Sequence, residues 1–403
     1  EEVYIYEFAY GYQPGPFFNC DGLETVTFED GIKQIAPRLF ANCPGIKNVT
    51  IPDTVTKIDY KAFAWAENLT EVKLGNSLTS IGGEAFRNTG ITNLDISNSV
   101  TTINGGAFAK CAELASLKLP KNLKQLDAHA FFDCDKLASV EIPKNLSKSA
   151  EVYIYEFAYG YQPGPFFNCD GLKTVTFEEG TTKVIYGLFA NCPGLENIEL
   201  PDTIVKLEDR AFAKSGLSSI VFNETLKEIG TSAFEFTKLK EVELPASITK
   251  TGTYVFNECK ELTSLKVNGN LEQISDRICN KCTSLTNVTV PKTVRIIGDS
   301  AFRECTSLET ITLPENLERI SAFAFAKTGL KEIAIPEGCR AIWDSAFRSC
   351  PQLEKVVVPT SINELVDYAF ADNEKLKEVK LGAGTAIIPQ YCFANCPALE
   401  TIL

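Results

Sequence analysis

The sequence has no methionine, two tryptophans and one histidine in 403 residues. With His129 alone, Ser-His-Asp and Cys-His chemistry have a single possible centre, no nucleophile motif stands near it, and G-x-S-x-G is absent. His129 precedes Ala130 and Phe131 in a predicted turn and is expected to face solvent. No apolar run approaches the roughly 20 residues needed to cross a bilayer. Positive charge is also short: 39 Lys and Arg stand against 52 Asp and Glu, a net charge of −13. That balance argues against nucleic acid, whose affinity rests on Lys and Arg neutralising phosphates. It also disfavours an anionic membrane surface and direct membrane insertion. There is no initiator Met, signal peptide or lipidation motif, so the chain reads as a mature or trimmed fragment.

What the sequence has in quantity is one motif. A Phe, usually in Ala-Phe, recurs at Phe17, Phe40, Phe63, Phe86, Phe108 and Phe131, then at Phe166, Phe189, Phe212, Phe234 and Phe256. Cys279 takes the next place, followed by Phe302, Phe325, Phe347, Phe370 and Phe393. These 17 markers are 22 or 23 residues apart, except for a step of 35 between Phe131 and Phe166. Between markers runs C-x-x-L-x-x-[VIL]-x-[LIVF]-P-x-x-[VIL]-x-x-[IL], as in FRECTSLETITLPENLERISAFAF from Phe302 to Phe325. The L-x-x-I-x-L segment alternates like a half-buried strand, and the Pro after it ends the ladder because it has no N–H to give. A single unit cannot bury its own apolar face; stacked units can.

This pattern resembles the BspA-like leucine-rich repeat family of bacterial and some protist surface proteins. The resemblance covers nearly the whole chain. It implies an α/β-type repeat solenoid: a right-handed leucine-rich-repeat β-solenoid of 17 repeats with one continuous parallel sheet. It further implies extracellular adhesion or protein binding and carries no catalytic motif or cofactor. Seventeen strands about 4.8 Å apart would make a sheet on the order of 80 Å along its arc.

Eleven of the 14 cysteines lie three residues after a marker: Cys20, Cys43, Cys111, Cys134, Cys169, Cys192, Cys259, Cys282, Cys305, Cys350 and Cys396. A fixed repeat position stacks on itself, which predicts a ladder of buried, reduced thiols acting as small apolar groups. Cys279-Asn280-Lys281-Cys282 lacks the second pair a zinc site would need, and no metal site is expected. The outward strand positions (Thr25 and Thr27, Asn48 and Thr50, Glu71 and Lys73, Asn93 and Asp95, onward to Lys380) hold no Trp, Tyr or Arg. They predict a solvated face without a binding anchor.

One feature is not required by the repeat. Residues 2–23 recur identically as 151–172, so 1–149 and 150–298 are related by internal duplication within a single solenoid spanning 1–403. The block contains an insertion at about 147–165 in which Tyr153, Tyr155, Phe157, Tyr159 and Tyr161 alternate, matching Tyr4, Tyr6, Phe8, Tyr10 and Tyr12 at the start. In a strand such residues share one face. These ten rings are either a cover for the solenoid core or a platform for a protein or glycan ligand. The expected role is a monomeric, non-enzymatic binding or adhesion module at a cell surface or outside the cell, recognising a host or neighbour-cell macromolecule. The alternative is a structural spacer or stalk within a larger surface protein. The chain ends inside a strand pattern at Leu403, so further sequence beyond it is expected.

Overall fold

The computed structural model describes residues 14–150, 163–383 and 387–403. It is a parallel β-solenoid of about 16 turns. No helix occurs among the described residues, which narrows the α/β expectation to strands and turns. Two features exclude helix: a Pro closes many first strands, and each corner carries left-handed residues that break any helical run.

Each regular turn has three parts. The first is the expected strand, such as Asn48–Thr50 or Glu71–Lys73, with its middle residue buried and its flanks exposed. It pairs in parallel with the next turn in matched register, Asn48 to Glu71 and Val49 to Val72. The ladder is assigned in segments rather than as one run, but the segments keep the repeat phase. The second part is a two-residue strand in the return segment, such as Lys57–Ile58, which builds a second parallel ladder. The third is the Ala-Phe corner.

The corner is built from left-handed residues. Thirty described non-glycine residues have φ between 52° and 63°. They occupy two columns, two residues before and two after the marker: Lys61 and Trp65 around Phe63, Tyr368 and Asp372 around Phe370. None of the thirty is Val, Ile or Thr, whose branched Cβ tolerates this region least. The conformation folds consecutive tight turns and aims alternate amides along the stack. Lys61 N donates to Gly83 O at 2.9 Å, Phe63 N to Ala85 O at 2.7 Å and Trp65 N to Arg87 O at 2.7 Å. The amides between bond within the corner, as Ala64 N does to Lys61 O at 3.2 Å. Each left-handed L-residue costs about 1–2 kcal/mol, and the hydrogen bonds of the stacked corners offset that cost by satisfying the buried backbone.

The chain divides into two compact units, 1–181 with 185–195, and 182–184 with 196–403. In the first, the marker rings form a file from Phe17 to Phe189, with centroids 5.2–5.9 Å apart and near-parallel planes. Phe131 stacks on Phe166 at 5.2 Å, and Ser139–Ile142 pairs in register with Thr174–Phe177. The solenoid therefore closes across the insertion. In the second unit the file runs Phe212–Phe234–Phe256 and resumes from Phe302 to Phe393, with the smaller Cys279 between.

Candidate functional site

The thiol ladder is a structural device. Cys43 Sγ donates to the Phe17 carbonyl at 2.9 Å, Cys134 to Phe108 O at 3.3 Å, Cys192 to Phe166 O at 3.1 Å and Cys282 to Phe256 O at 3.0 Å. Each is the marker carbonyl of the preceding turn. Thr89, Thr237 and Thr328 fill the same position with a hydroxyl on their own marker carbonyl, and Asn373 Nδ2 reaches both Phe347 O and Phe370 O. The position thus takes small or compact side chains, usually with a donor, though the buried Ala66 has none. All fourteen cysteines are free, and all but the half-buried Cys20 and Cys396 are buried. Burial pushes the thiols of Cys111 and Cys350 up to about 11 and that of Cys392 to about 12. Cys134, Cys169, Cys279 and Cys305 are also driven well above 9.0, first by desolvation. A thiol held this firmly protonated is a poor nucleophile and a poor metal ligand.

His129 corrects the sequence reading. It is buried, at 2% exposure, not solvent-facing. It occupies a left-handed corner position, φ 63°, with its ring edge-on to Phe132 at 5.9 Å. The cause is local: Phe132 and Phe167 stand directly after their markers, where neighbouring turns have Ala109 and Ala190, and form an apolar cluster with them.

The first-strand face matches its expectation. Most of its outward residues are exposed, and rung-to-rung ion pairs cross it: Lys118–Asp95 at 3.2 Å, Lys266–Glu243 at 2.6 Å and Lys355–Glu378 at 2.9 Å. Exposed pairs of this kind contribute little to stability or affinity.

Large aromatic and Arg side chains gather instead along the corner edge. In the second unit Arg277 lies over Tyr254 at 5.2 Å and donates to its hydroxyl at 2.6 Å. Arg303 lies over Phe323 at 5.5 Å and Arg348 over Tyr368 at 5.0 Å, while on the second ladder Arg319 lies over Trp343 at 4.3 Å. Tyr368 stacks on Tyr391 at 5.0 Å, and Tyr391 is 59% exposed. Beside them Asp372 takes a 2.7 Å hydrogen bond from Asn395 and a 2.6 Å bond from Arg348, which hold its carboxyl below the ordinary value. The first unit carries a smaller group: Lys61 over Trp65 at 4.7 Å and over Tyr60 at 5.3 Å, with Arg38 also over the Tyr60 ring at 5.2 Å. Tyr60 donates to Glu84 at 3.1 Å.

In the first unit the insertion is anchored at a corner. Ala128 N donates to Ala150 O at 3.1 Å, and the next amide, His129 N, donates to Gly164 O at 3.1 Å. Both feet are therefore held by adjacent residues of one corner. The rings Tyr153, Tyr155, Phe157, Tyr159 and Tyr161, and Tyr4, Tyr6, Phe8, Tyr10 and Tyr12, lie outside the described residues.

Comparison with known proteins follows the same geometry. The profile described as "BspA type Leucine rich repeat region" matches residues 13–112, 162–285 and 272–400, in six copies. The chain belongs to the BspA-type leucine-rich repeat family. A leucine-rich repeat protein from Bacteroides ovatus is 24% identical over 97% of this chain and 86% of its own, with a TM-score of 0.63. One from Eubacterium ventriosum is 19% identical over 86% and 81%, with a TM-score of 0.51. A leucine-rich cell surface protein of Faecalibacterium prausnitzii is 24% identical over 94% and 85%, with a TM-score of 0.40. At these identities the likeness shows the fold alone. No curated protein matches the sequence. No helix among the described residues is long and apolar enough to cross a membrane.

Within this BspA-type solenoid the repeat consensus explains the core and leaves the corner columns nearly free. Those columns require tolerance of the left-handed region and little else, so Tyr, Phe, Trp, Arg and Lys can accumulate there. The aromatic corner edge was the feature sequence reasoning missed. Its signal was present: Tyr254, Phe323, Tyr368 and Tyr391 all stand two residues before a marker position.

Proposed function

We propose that this chain is a non-enzymatic binding module, acting at a cell surface or as a secreted protein, whose recognition surface is the corner edge of the solenoid. One observation carries the reading. Trp, Tyr and Arg, the residues that dominate binding hot spots, are absent from the outward first-strand positions, and Tyr and Phe pair with Arg along the corners. Such pairs hold broad, rigid, partly apolar surfaces in place at low entropy cost. They suit a macromolecular ligand, a protein or a glycan, in a host or on a neighbouring cell, bound by a monomeric chain. The surface location rests on what family resemblance implies. The ten insertion and N-terminal aromatics belong to the same proposal, since the feet of the 147–165 insertion are held by a corner of the first unit.

The test is a matrix-protein and glycan array with three proteins. The Tyr368→Ala/Tyr391→Ala and Tyr155→Ser/Tyr159→Ser variants should each lose binding to the ligand the wild type captures. Their melting temperatures should stay within about 1 °C, the shift of less than about 1 kcal/mol in a chain of this size. Retained binding in both variants would remove the corner edge as the site. A second reading, a stiff spacer in a larger protein, is favoured by the solvated first-strand face. Failure of the wild type to bind anything on the array would leave that reading standing.

A further inference from the structure

We infer that a polar groove in the second ladder is a binding site for a short neutral oligosaccharide. The inference is independent of the corner-edge reading and concerns a different face of the second unit.

The groove begins with one residue. The buried position of the second ladder is filled by Ile35, Ile58, Ile81, Ile103 and Leu126 in the first unit, and by Val184, Leu207 and Ile229 at the start of the second. The next turn places Thr251 there, and aliphatics return with Ile274, Ile297 and Ile320. The ladder breaks at the same point. One sheet ends with the strand Lys250–Thr251 and another begins with Gln273–Ile274. At neighbouring junctions a backbone amide crosses, Gly252 N to Ile229 O at 2.8 Å and Gly298 N to Ile274 O at 2.9 Å. At this one the connection runs through side chains: Ser275 Oγ bonds the Thr251 carbonyl at 2.9 Å and Thr251 Oγ1 at 2.6 Å.

The broken junction opens a groove of about 560 Å³. Five hydroxyls line it, from Thr231, Thr249, Thr251, Thr253 and Ser275, with the amides of Asn270 and Gln273. Hydroxyls and amides each donate and accept, as a polyol does. The volume lies within the range of small-ligand sites, roughly 300–1,000 Å³. Its charged lining is small, Lys250 with Glu272 and Asp276, and Asp276 Oδ1 already accepts from the Asp299 amide at 2.9 Å and from Gln273 Nε2 at 3.3 Å. A strongly charged ligand has no matching counter-field. Leu271 and the threonine methyls supply the limited apolar contact that the C–H face of a sugar needs. An extended peptide fits less well. An inserted strand requires about 4.8 Å on each side, and the Thr251–Ser275 hydroxyl contact closes that space.

The test uses calorimetry and saturation-transfer NMR on the full chain, with a panel of neutral di- and trisaccharides built from glucose, galactose, mannose and N-acetylglucosamine. At least one should bind the wild type. Thr251→Val restores the aliphatic position and removes a hydroxyl; it should weaken that saccharide by about tenfold, the worth of one to two lost hydrogen bonds, without lowering the melting temperature. Asn270→Ala, at an exposed position, should also weaken it. Tyr368→Ala/Tyr391→Ala should bind the saccharide normally, which separates this site from the corner edge. Absence of binding to every member of the panel overturns the inference. So does undiminished affinity in both groove variants, or binding of an extended peptide that the saccharides do not displace. Should Thr251→Val prove unstable, Asn270→Ala decides alone.

Discussion

Raising the pH should unfold this protein through its thiol ladder. Cys111 and Cys350 are fully buried, and desolvation lifts each to about 11 against an ordinary 9.0. The folded state therefore holds both thiols in the neutral form, and the unfolded chain lets them ionise. Because the folded value is the higher one, the stability they contribute is complete below pH 9. It is lost as the pH rises toward 11. At pH 10 the unfolded thiol gains roughly 1.4 kcal/mol from ionising and the folded thiol almost nothing, so each costs about 1.4 kcal/mol of stability there. The pair accounts for roughly 3 kcal/mol, a sizeable share of an ordinary folding free energy of about 5–15 kcal/mol. Cys134, Cys169, Cys279 and Cys305 shift in the same direction and add to it. Urea unfolding at pH 8 and pH 10 measures the effect, and a Cys111→Thr/Cys350→Thr variant isolates it. Threonine already serves this position at Thr89, Thr237 and Thr328. The wild type should lose more stability between the two pH values than the variant, by about 3 kcal/mol. An equal pH dependence in both proteins would refute the claim that buried neutral thiols carry it.

Thiol titration in denaturant without reductant should find all fourteen cysteines reactive, whereas the native protein at pH 8 should expose few beyond Cys20 and Cys396; oxidised pairs in the denatured sample would contradict the ladder. Phe108→Ala, in the middle of the ring file, should cost about 3–5 kcal/mol in urea unfolding. Asn88 has φ 54°, so Asn88→Gly should be more stable than Asn88→Ala by about 1 kcal/mol, the reverse of the ranking in regular helix or strand. Equal stabilities would show that the left-handed columns are not strained.

The repeat, the strand phase, the buried thiols and the bypassed insertion were legible because each is written as a period. Phe131 and Phe166 stack as regular neighbours although 35 residues separate them. The second ladder was less legible: strands such as Lys57–Ile58 are two residues long, too short to show alternation. His129 was misread because turn residues are usually exposed, whereas here the corner is itself a stacked element beside Phe132 and Phe167. The tyrosine stripes of the insertion are plain in sequence and outside the described residues.

The two corner columns would let a solenoid this regular carry the recognition proposed for it. A residue at a strand core is chosen by packing, and a residue three after the marker by its bond to a carbonyl. The column residues answer mainly to one backbone condition, that φ near +60° be tolerated without a branched Cβ. Asn, Lys, Ser, Glu, Arg, Tyr, Phe and Trp all meet it in this chain. Sequence can therefore vary along the corner edge without disturbing the ladder, and neighbouring turns bring chosen residues close together, as with Tyr368 and Tyr391 at 5.0 Å. Thr251 follows the opposite route. It departs from the aliphatic rule of its neighbours, and the ladder that runs unbroken from Lys183 to Thr251 stops there, to resume at Gln273. Free variation where the fold is permissive builds a broad edge; one violation where the fold is strict builds a groove.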